Sequence, residues 1–427
     1  MVLTSIPLLA LAVIGVPLFA IIAASALYGY WQADIDLSAI AVEIYRLAEM
    51  PVLLAIPLFT FAGYVLGESR APQRLVALSN ALLGWLPGGL AIVAVAVCAF
   101  FTAFTGASGV TIVALGALLY PAMREAHYPE KFGLGLITSA GSLGLLFAPS
   151  LPLILYGVVA QQMSLSTPVN IDDLFRAGLL PGLLMMLVLG GYCVWQGRQL
   201  PKEDQQFSAA EAKAAVKAAW PELPLPVLVL GGIYGGYLAV SEAAAVAAAY
   251  VLIVHVFIKR EIYLRQLPTV MRESMTLVGG IMVILAVSLA STNVLIDAEI
   301  PQQLFAWIRS WIDSPITFLL ALNIFLLVLG MLLDIFSALV IVVPIILPIA
   351  MGYGIHPVHL GIVFLANMQL GYFTPPVGMN LFIASYRFNK PVMTLYRASV
   401  PFFLLLLVAV LLITWVPALS LWWVPAN

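Results

Sequence analysis

Leu370-Gly371-Tyr372-Phe373-Thr374-Pro375-Pro376-Val377-Gly378-Met379-Asn380 breaks a long apolar run with two prolines and two glycines. Within a bilayer, such a break frees backbone N–H and C=O groups. Each costs several kcal/mol unless protein or ligand satisfies it. The stretch has an earlier partner in Leu143-Gly144-Leu145-Leu146-Phe147-Ala148-Pro149-Ser150. Gly144 to Gly371, Pro149 to Pro376 and Pro121 to Pro348 are all separated by 227 positions. Two copies of one broken helix, far apart in a chain, are the mark of a transporter whose binding site lies between repeats.

The rest of the chain agrees with a membrane setting. It is 63% hydrophobic and 9% charged, with a mean hydropathy of +1.08. Apolar runs long enough to cross a ~30 Å hydrocarbon core recur throughout. The alternation expected of an outer-membrane barrel is absent. A formal charge of -2 gives no footprint for nucleic acid. Cys98 and Cys193 lie in apolar segments without CxxC spacing, which reads as two small core residues. The first apolar run, from about Thr4 to Trp31, has no basic leader and reads as an uncleaved helix.

Outward from the breaks, the pattern gives an all-α polytopic membrane protein built from two inverted-topology repeats. The first, 1–221, carries a hairpin at about 88–124 and a broken helix at about 132–161. The second, 222–427, carries a hairpin at about 315–351 and a broken helix at about 356–388. Re-entrant hairpins are expected at the two tips, with two full crossings as the alternative for the first. Arg70 to Gly84 reads as an amphipathic interfacial segment, and Lys213 and Lys217 sit on a short surface helix. Counting hairpins as non-crossing gives nine crossings. Alternation then leaves only Arg46, Arg176 and Arg309 of the 18 basic residues on one side. The positive-inside rule makes the other side cytoplasmic, with the N-terminus inside and the C-terminus outside. Five crossings between the broken helices give the repeats opposite orientations.

Oxygen-rich tips at mid-depth suit a hard cation such as Na⁺, and half-helix N-termini suit a carboxylate. One cluster is expected at Thr105, Gly106 and Ser108 with Pro149 and Ser150. Its mirror image is expected at Asp334 with Thr374, Pro375 and Gly378, and Asn380 lies just beyond. Ser108, Ser150, Thr374 and Asn380 are the candidate substrate contacts. Thr105, Gly106, Ser108, Pro149, Asp334, Thr374, Pro375 and Gly378 are the candidate Na⁺ ligands. Asp334 is the clearest ionisable group within an apolar run; pairing with a neighbouring helix is its structural alternative. Glu242 reads as a helix-start residue. His356 and His359 are expected at the outer surface. No G-x-S-x-G, H-E-x-x-H or Walker sequence appears, so the chain reads as a gradient-driven carrier and not an enzyme. An enzyme using Asp334 as acid or base would need a second catalytic group at depth.

These residues resemble the large membrane subunit of tripartite ATP-independent periplasmic (TRAP) transporters over essentially the whole chain. The resemblance is carried by Gly106-Ala107-Ser108, Gly144 through Gly157, Gly231 through Gly236, Ser241 through Val246 and, most specifically, Gly371-x-x-Thr374-Pro375-Pro376-Val377-Gly378. It implies Na⁺-coupled import of an organic acid across a bacterial or archaeal inner membrane by an elevator motion. It also implies two partners: a small four-helix membrane subunit and a periplasmic substrate-binding protein. Thr105 stands where the family commonly has serine, and Ala148 where it commonly has proline. Ala239-Val240-Ser241 replaces a usual Thr-Pro-Thr. A stand-alone Na⁺- or H⁺-coupled carboxylate carrier of similar hairpin architecture is the alternative reading.

Overall fold

The computed structural model describes residues 14–163, 165, 167–200 and 207–424. Among them all regular structure is helical. In chain order the helices are α1 (Leu18–Gln32), α2 (Ser38–Ala48), α3 (Ala55–Glu68, entered by a short 3₁₀ turn), α4 (Ala71–Leu83), α5 (Gly89–Thr105), α6 (Ser108–Glu125) and α7 (Glu130–Ala140). A 3₁₀ turn at Leu143–Leu146 precedes α8 (Leu151–Gln161). Then come α9 (Ile171–Gly197), α10 (Ala209–Ala218), α11 (Pro224–Tyr234), α12 (Val240–Leu252, continued by a π-turn at Ile253–Ile258), α13 (Leu267–Asp297) and α14 (Ile300–Arg309). The last are α15 (Pro315–Leu332), α16 (Ile335–Gly352), α17 (Pro357–Gly371), α18 (Met379–Phe388), α19 (Val392–Trp415) and α20 (Ala418–Leu421).

The 227-residue spacing reappears in the helix boundaries. α6 and α16 are displaced by 227 at both ends (335 − 108 and 352 − 125), and α7 and α17 by 227 at their starts (357 − 130). Pro121 in α6 and Pro348 in α16 keep the same offset. The packing follows the same scheme. The first hairpin arms lie on the broken helices of their own halves, α5 on α7 and α15 on α17. The second arms cross over, α6 to α18 and α16 to α8. Likewise α3 packs on α12, and α1 on α13.

The breaks end where the sequence supplies helix-incompatible residues. Pro149 follows the 3₁₀ turn, and Pro375-Pro376 follows α17; proline lacks the N–H a helix interior needs. Glycines bring each break onto its hairpin. A Cβ at Gly144 would stand 2.3 Å from the Ala99 carbonyl oxygen of α5, and one at Gly371 would stand 2.6 Å from the Gly330 Cα of α15. Gly330 and Ala103 are themselves 227 apart.

Among the described residues, seven helices suit a membrane crossing by length and composition, or eight when α7 and α8, bent by 41°, count as one span. Both arms of the second hairpin, 18 residues each, meet that length. Other elements depart from expectation in detail. α13 begins at Leu267, inside what reads in sequence as a basic link to Arg272. The sequence from about Glu222 to Leu238 reads as one apolar helix, but α11 is only 11 residues long, because Gly235-Gly236 ends it. The sequence reads as a last crossing from about Ala398 to Trp423, whereas α19 starts six residues earlier, at Val392, and stops at Trp415 before Pro417. The amphipathic α14 has no counterpart among the expected elements. Residues 4–13 of the expected first helix lie outside the described residues.

The core runs continuously through both halves. Cys98 and Cys193 are free and buried within it. Glu242 accepts a hydrogen bond from the Ala239 N–H at 2.9 Å, the helix-start role its sequence position suggests. The histidine expectation needs correction. His356 caps α17, its Nδ1 accepting from the Val358 N–H at 3.2 Å. His359 is 2% exposed, with Nδ1 2.6 Å from Ser420 Oγ and Nε2 3.2 Å from the Thr414 carbonyl. α19 and α20 fold back over the start of α17 and bury it, a tertiary contact that a local reading of the helix cannot supply.

Candidate functional site: two hairpin tips against two broken helices

The first tip is Gly106-Ala107. Gly106 ends α5 in the left-handed region (φ 65°), its N–H donating to the Thr102 carbonyl at 2.8 Å. A Cβ there would meet Leu151 Cγ at 2.4 Å, so the tip lies directly on the start of α8. Thr105 and Ser108 flank the turn, both buried. Ser108 Oγ donates to Asn380 Oδ1 at 2.7 Å, and Asn380 Nδ2 donates to the Thr138 carbonyl at 3.3 Å. One amide thus joins the tip, the second break and the first half of the first broken helix. Two of the predicted substrate contacts, Ser108 and Asn380, are brought together.

Beneath the tip, Thr102 Oγ1 donates to the Gly141 carbonyl at 2.8 Å and sits 2.6 Å from Thr111 Oγ1. This hydroxyl pair stitches α5, α6 and the end of α7. Among the described residues, Thr105 Oγ1 makes only a long contact, 3.4 Å to the Ala107 carbonyl, and Ser150 Oγ is buried with no hydrogen-bond partner. Buried hydroxyls without partners are uncommon, because each forfeits its hydration. Pro149 and Ser150 are buried beside them.

The second tip is Leu333-Asp334. Asp334 is the N-cap of α16: Oδ1 accepts from the Phe336 and Ser337 N–H groups at 3.0 Å each, and Oδ2 accepts from Ser337 Oγ at 2.5 Å. Its carboxylate is therefore satisfied by its own helix and not by a neighbouring one, and it is half-buried. Two hydrogen bonds fasten this tip to the second break. The Ile335 N–H donates to the Tyr372 hydroxyl at 2.5 Å, and the Gly378 N–H donates to the Met331 carbonyl at 3.1 Å. Thr374 Oγ1 donates back to the Leu370 carbonyl at 2.7 Å, covering an acceptor at the end of α17. Gly378 holds φ 48°, which lets the chain reverse into α18.

The clusters differ in access. Gly106, Ser108, Pro149 and Ser150 are enclosed, whereas Pro375, Pro376 and Val377 are exposed. The breaks meet where Ser142 Oγ donates to the Gln369 carbonyl at 3.4 Å, a pair itself 227 residues apart.

Several polar residues here are not singled out by the sequence reading. Asn367 Nδ2 donates to Asn323 Oδ1 at 2.5 Å, and Thr414 Oγ1 donates to the same oxygen at 3.2 Å, joining α15, α17 and α19. Among the described residues, Asn323 Nδ2, Asn367 Oδ1 and both side-chain polar atoms of Gln369 are buried without hydrogen-bond partners. The available signal was an amide side chain inside an apolar helix, which is costly unless paired.

Comparison with known proteins places this geometry in context. Residues 5–419 match the family model described as the DctM component of the tripartite ATP-independent periplasmic transporter. The chain is 38% identical over 385 residues to the C4-dicarboxylate TRAP transporter large permease protein DctM of Pseudomonas aeruginosa, covering 90% of this chain and 88% of that one. It is 35% identical to the isethionate TRAP transporter permease protein DctMQ of Oleidesulfovibrio alaskensis, over 86% of this chain and 57% of that longer protein. Among solved structures, the YdaH transporter of Alcanivorax borkumensis shares the fold with a TM-score of 0.62 at 16% identity, over 90% of this chain and 88% of that one.

Proposed function

This chain belongs to the DctM component family of tripartite ATP-independent periplasmic transporters, and from that premise we propose that it imports an organic acid coupled to Na⁺. It is a multi-pass helical membrane permease. The substrate class in this reading is a C4-dicarboxylate or a close chemical relative, by similarity to the Pseudomonas permease. A periplasmic binding protein delivers the acid, and a small membrane subunit completes the complex in the inner membrane. The relative whose name joins DctM and Q, and which is much longer than this chain, supports that partnership.

The observation that carries the reading is the Ser108–Asn380–Thr138 bridge, which ties the tip of one half to the broken helices of both. A ligand that reorganises either break must move these elements together. Na⁺ binds as co-substrate at the oxygen-rich tips: Thr105, Gly106, Ser108 and Pro149 on one side, and Asp334, Thr374, Pro375 and Gly378 on the other. Ser108, Ser150, Thr374 and Asn380 receive the carboxylate, with Ser150 Oγ free to donate. Half-helix N-termini at α8 and α18 add positive ends of peptide dipoles. The two halves form inverted repeats, and the hairpins with their broken helices move as one body against α1, α3, α12 and α13.

The test is uptake of labelled C4-dicarboxylates into proteoliposomes holding the full complex. Uptake that needs both a Na⁺ gradient and the binding protein is the expected result. Uptake by this chain with Na⁺ alone would favour a stand-alone carrier, and uptake driven by a proton gradient without Na⁺ would overturn the ion assignment.

A further inference from the structure

The link from α12 to α13 carries a surface that the transport reading does not use. Arg260 takes a left-handed backbone (φ 52°), and the chain doubles back so that the Glu261 N–H donates to the His255 carbonyl at 2.9 Å. That reversal sends Glu261 inward. Its carboxylate meets Arg74 and His255, while Glu222 meets the same guanidinium at 2.5 Å. The nearby acids are thereby consumed inside. Lys259, Arg260 and Arg265 are left exposed, and among the described residues none of them forms an ion pair.

Large apolar side chains share this rim. Phe257 and Ile258 are 56% and 58% exposed, and Tyr263 and Leu264 are 69% and 63% exposed. Lys259 Nζ sits 5.2 Å from the ring centroid of Trp220, which follows the lysine-bearing α10. An aqueous loop has no use for four exposed apolar residues at one bend, and a hydrocarbon-facing one has none for three unpaired cations. The two together suit the headgroup layer, where aromatic rings and long basic side chains settle with their polar ends outward.

We infer that this rim is a docking site for anionic phospholipid headgroups. Lys259, Arg260 and Arg265 meet the phosphates, and Phe257, Ile258, Tyr263 and Leu264 sit among the upper acyl carbons. Trp220 holds Lys259 in place through its ring face. The site belongs to the leaflet on the basic side of the protein, which the positive-inside rule makes cytoplasmic.

The experiment measures phosphatidylglycerol binding by the purified full permease complex, through native mass spectrometry and through competition in nanodiscs of phosphatidylcholine. Lys259→Gln with Arg260→Gln is expected to weaken phosphatidylglycerol binding roughly 25-fold, about fivefold per charge, and to leave phosphatidylcholine binding unchanged. Lys131→Gln with Arg397→Gln, which removes two exposed charges elsewhere, is expected to change it little. Lys259→Arg, which keeps the charge, is expected to keep binding, and this separates lost charge from misfolding. Equal phosphatidylglycerol binding by the wild type and the first variant would overturn the proposal. So would no preference for phosphatidylglycerol over phosphatidylcholine, or protection of Lys259 from amine labelling by the small subunit alone. Because the readout is lipid bound at rest, failure here leaves the transport assignment untouched, and loss of transport leaves this proposal standing.

Discussion

Single side chains in this protein do two jobs. Asp334 caps α16 through three hydrogen bonds, so an alanine there loses a cap as well as a charge. Asparagine separates the two, since its oxygen still accepts from backbone N–H groups. Asp334→Ala is expected to lower stability by about 1 kcal/mol and Asp334→Asn by only a few tenths, measured as the denaturation midpoint in detergent. Ser108→Ala strands Asn380 Oδ1 in a buried site and should cost about 1–3 kcal/mol. The sequence made Asp334 conspicuous because charge is rare in apolar runs. It could not reveal that the partner is the helix the residue itself begins. His359 misleads for the opposite reason: near a helix start it looks superficial, and only the return of α19 and α20 buries it.

At the element scale the two breaks are held by matched close approaches. Gly144→Ala and Gly371→Ala each drive a methyl into backbone, of α5 and α15 respectively. Each should destabilise the protein by about 1–3 kcal/mol, with similar size in the two halves. A loss confined to one half would argue against equivalent packing. α4 is fastened differently, by Arg74 between Glu222 and Glu261. Breaking so enclosed a set by Arg74→Gln should cost about 3–5 kcal/mol. Burial alone would raise the Glu261 pKa, but hydrogen bonds from Arg74, His255 and the Arg70 N–H bring it from 4.5 down to about 2. A depressed carboxylate pKa stabilises the fold above pH 4.5, and that contribution disappears as pH falls towards 2. Thermal stability should therefore drop as pH falls from about 4.5 towards 2 in the wild type, and drop less in Arg74→Gln. Element positions were largely legible, because proline and glycine punctuate membrane helices strongly. The partners of Arg74 were not, since they come from segments 148 and 187 residues away.

Across the whole molecule, the 227-residue offset between prolines and glycines is legible in the sequence, and the boundaries of α6 and α16 keep that offset. Orientation rests on charge. Because Cys98 and Cys193 are buried, single introduced cysteines can be labelled over a low background. Lys217→Cys is expected to react with an impermeant maleimide only from the cytoplasmic side, and Ser310→Cys only from the periplasmic side. The reverse pattern would turn the molecule over, and labelling of both from one side would change the number of crossings. What the sequence left unread is the asymmetry between the halves: an enclosed first tip, an accessible second break, and the Asn323–Asn367–Thr414 cluster in the second half alone. Those features arise from contacts between distant helices. The 227-residue offset pairs Asn323, Asn367 and Thr414 with Ala96, Ala140 and Leu187, so the cluster has no polar image to betray it.

The central claim, that both tips couple Na⁺ to movement of the acid, is tested most directly by a Na⁺ titration of C4-dicarboxylate uptake by the reconstituted complex. Wild type, Ser108→Ala, Asp334→Asn and the control Ser420→Ala would be compared at equal amounts of folded protein. Na⁺ half-saturation is expected to rise about tenfold in each tip variant, the loss of one charge-assisted contact, and to stay put in the control. Unchanged half-saturation in both tip variants, with uptake intact, would contradict it.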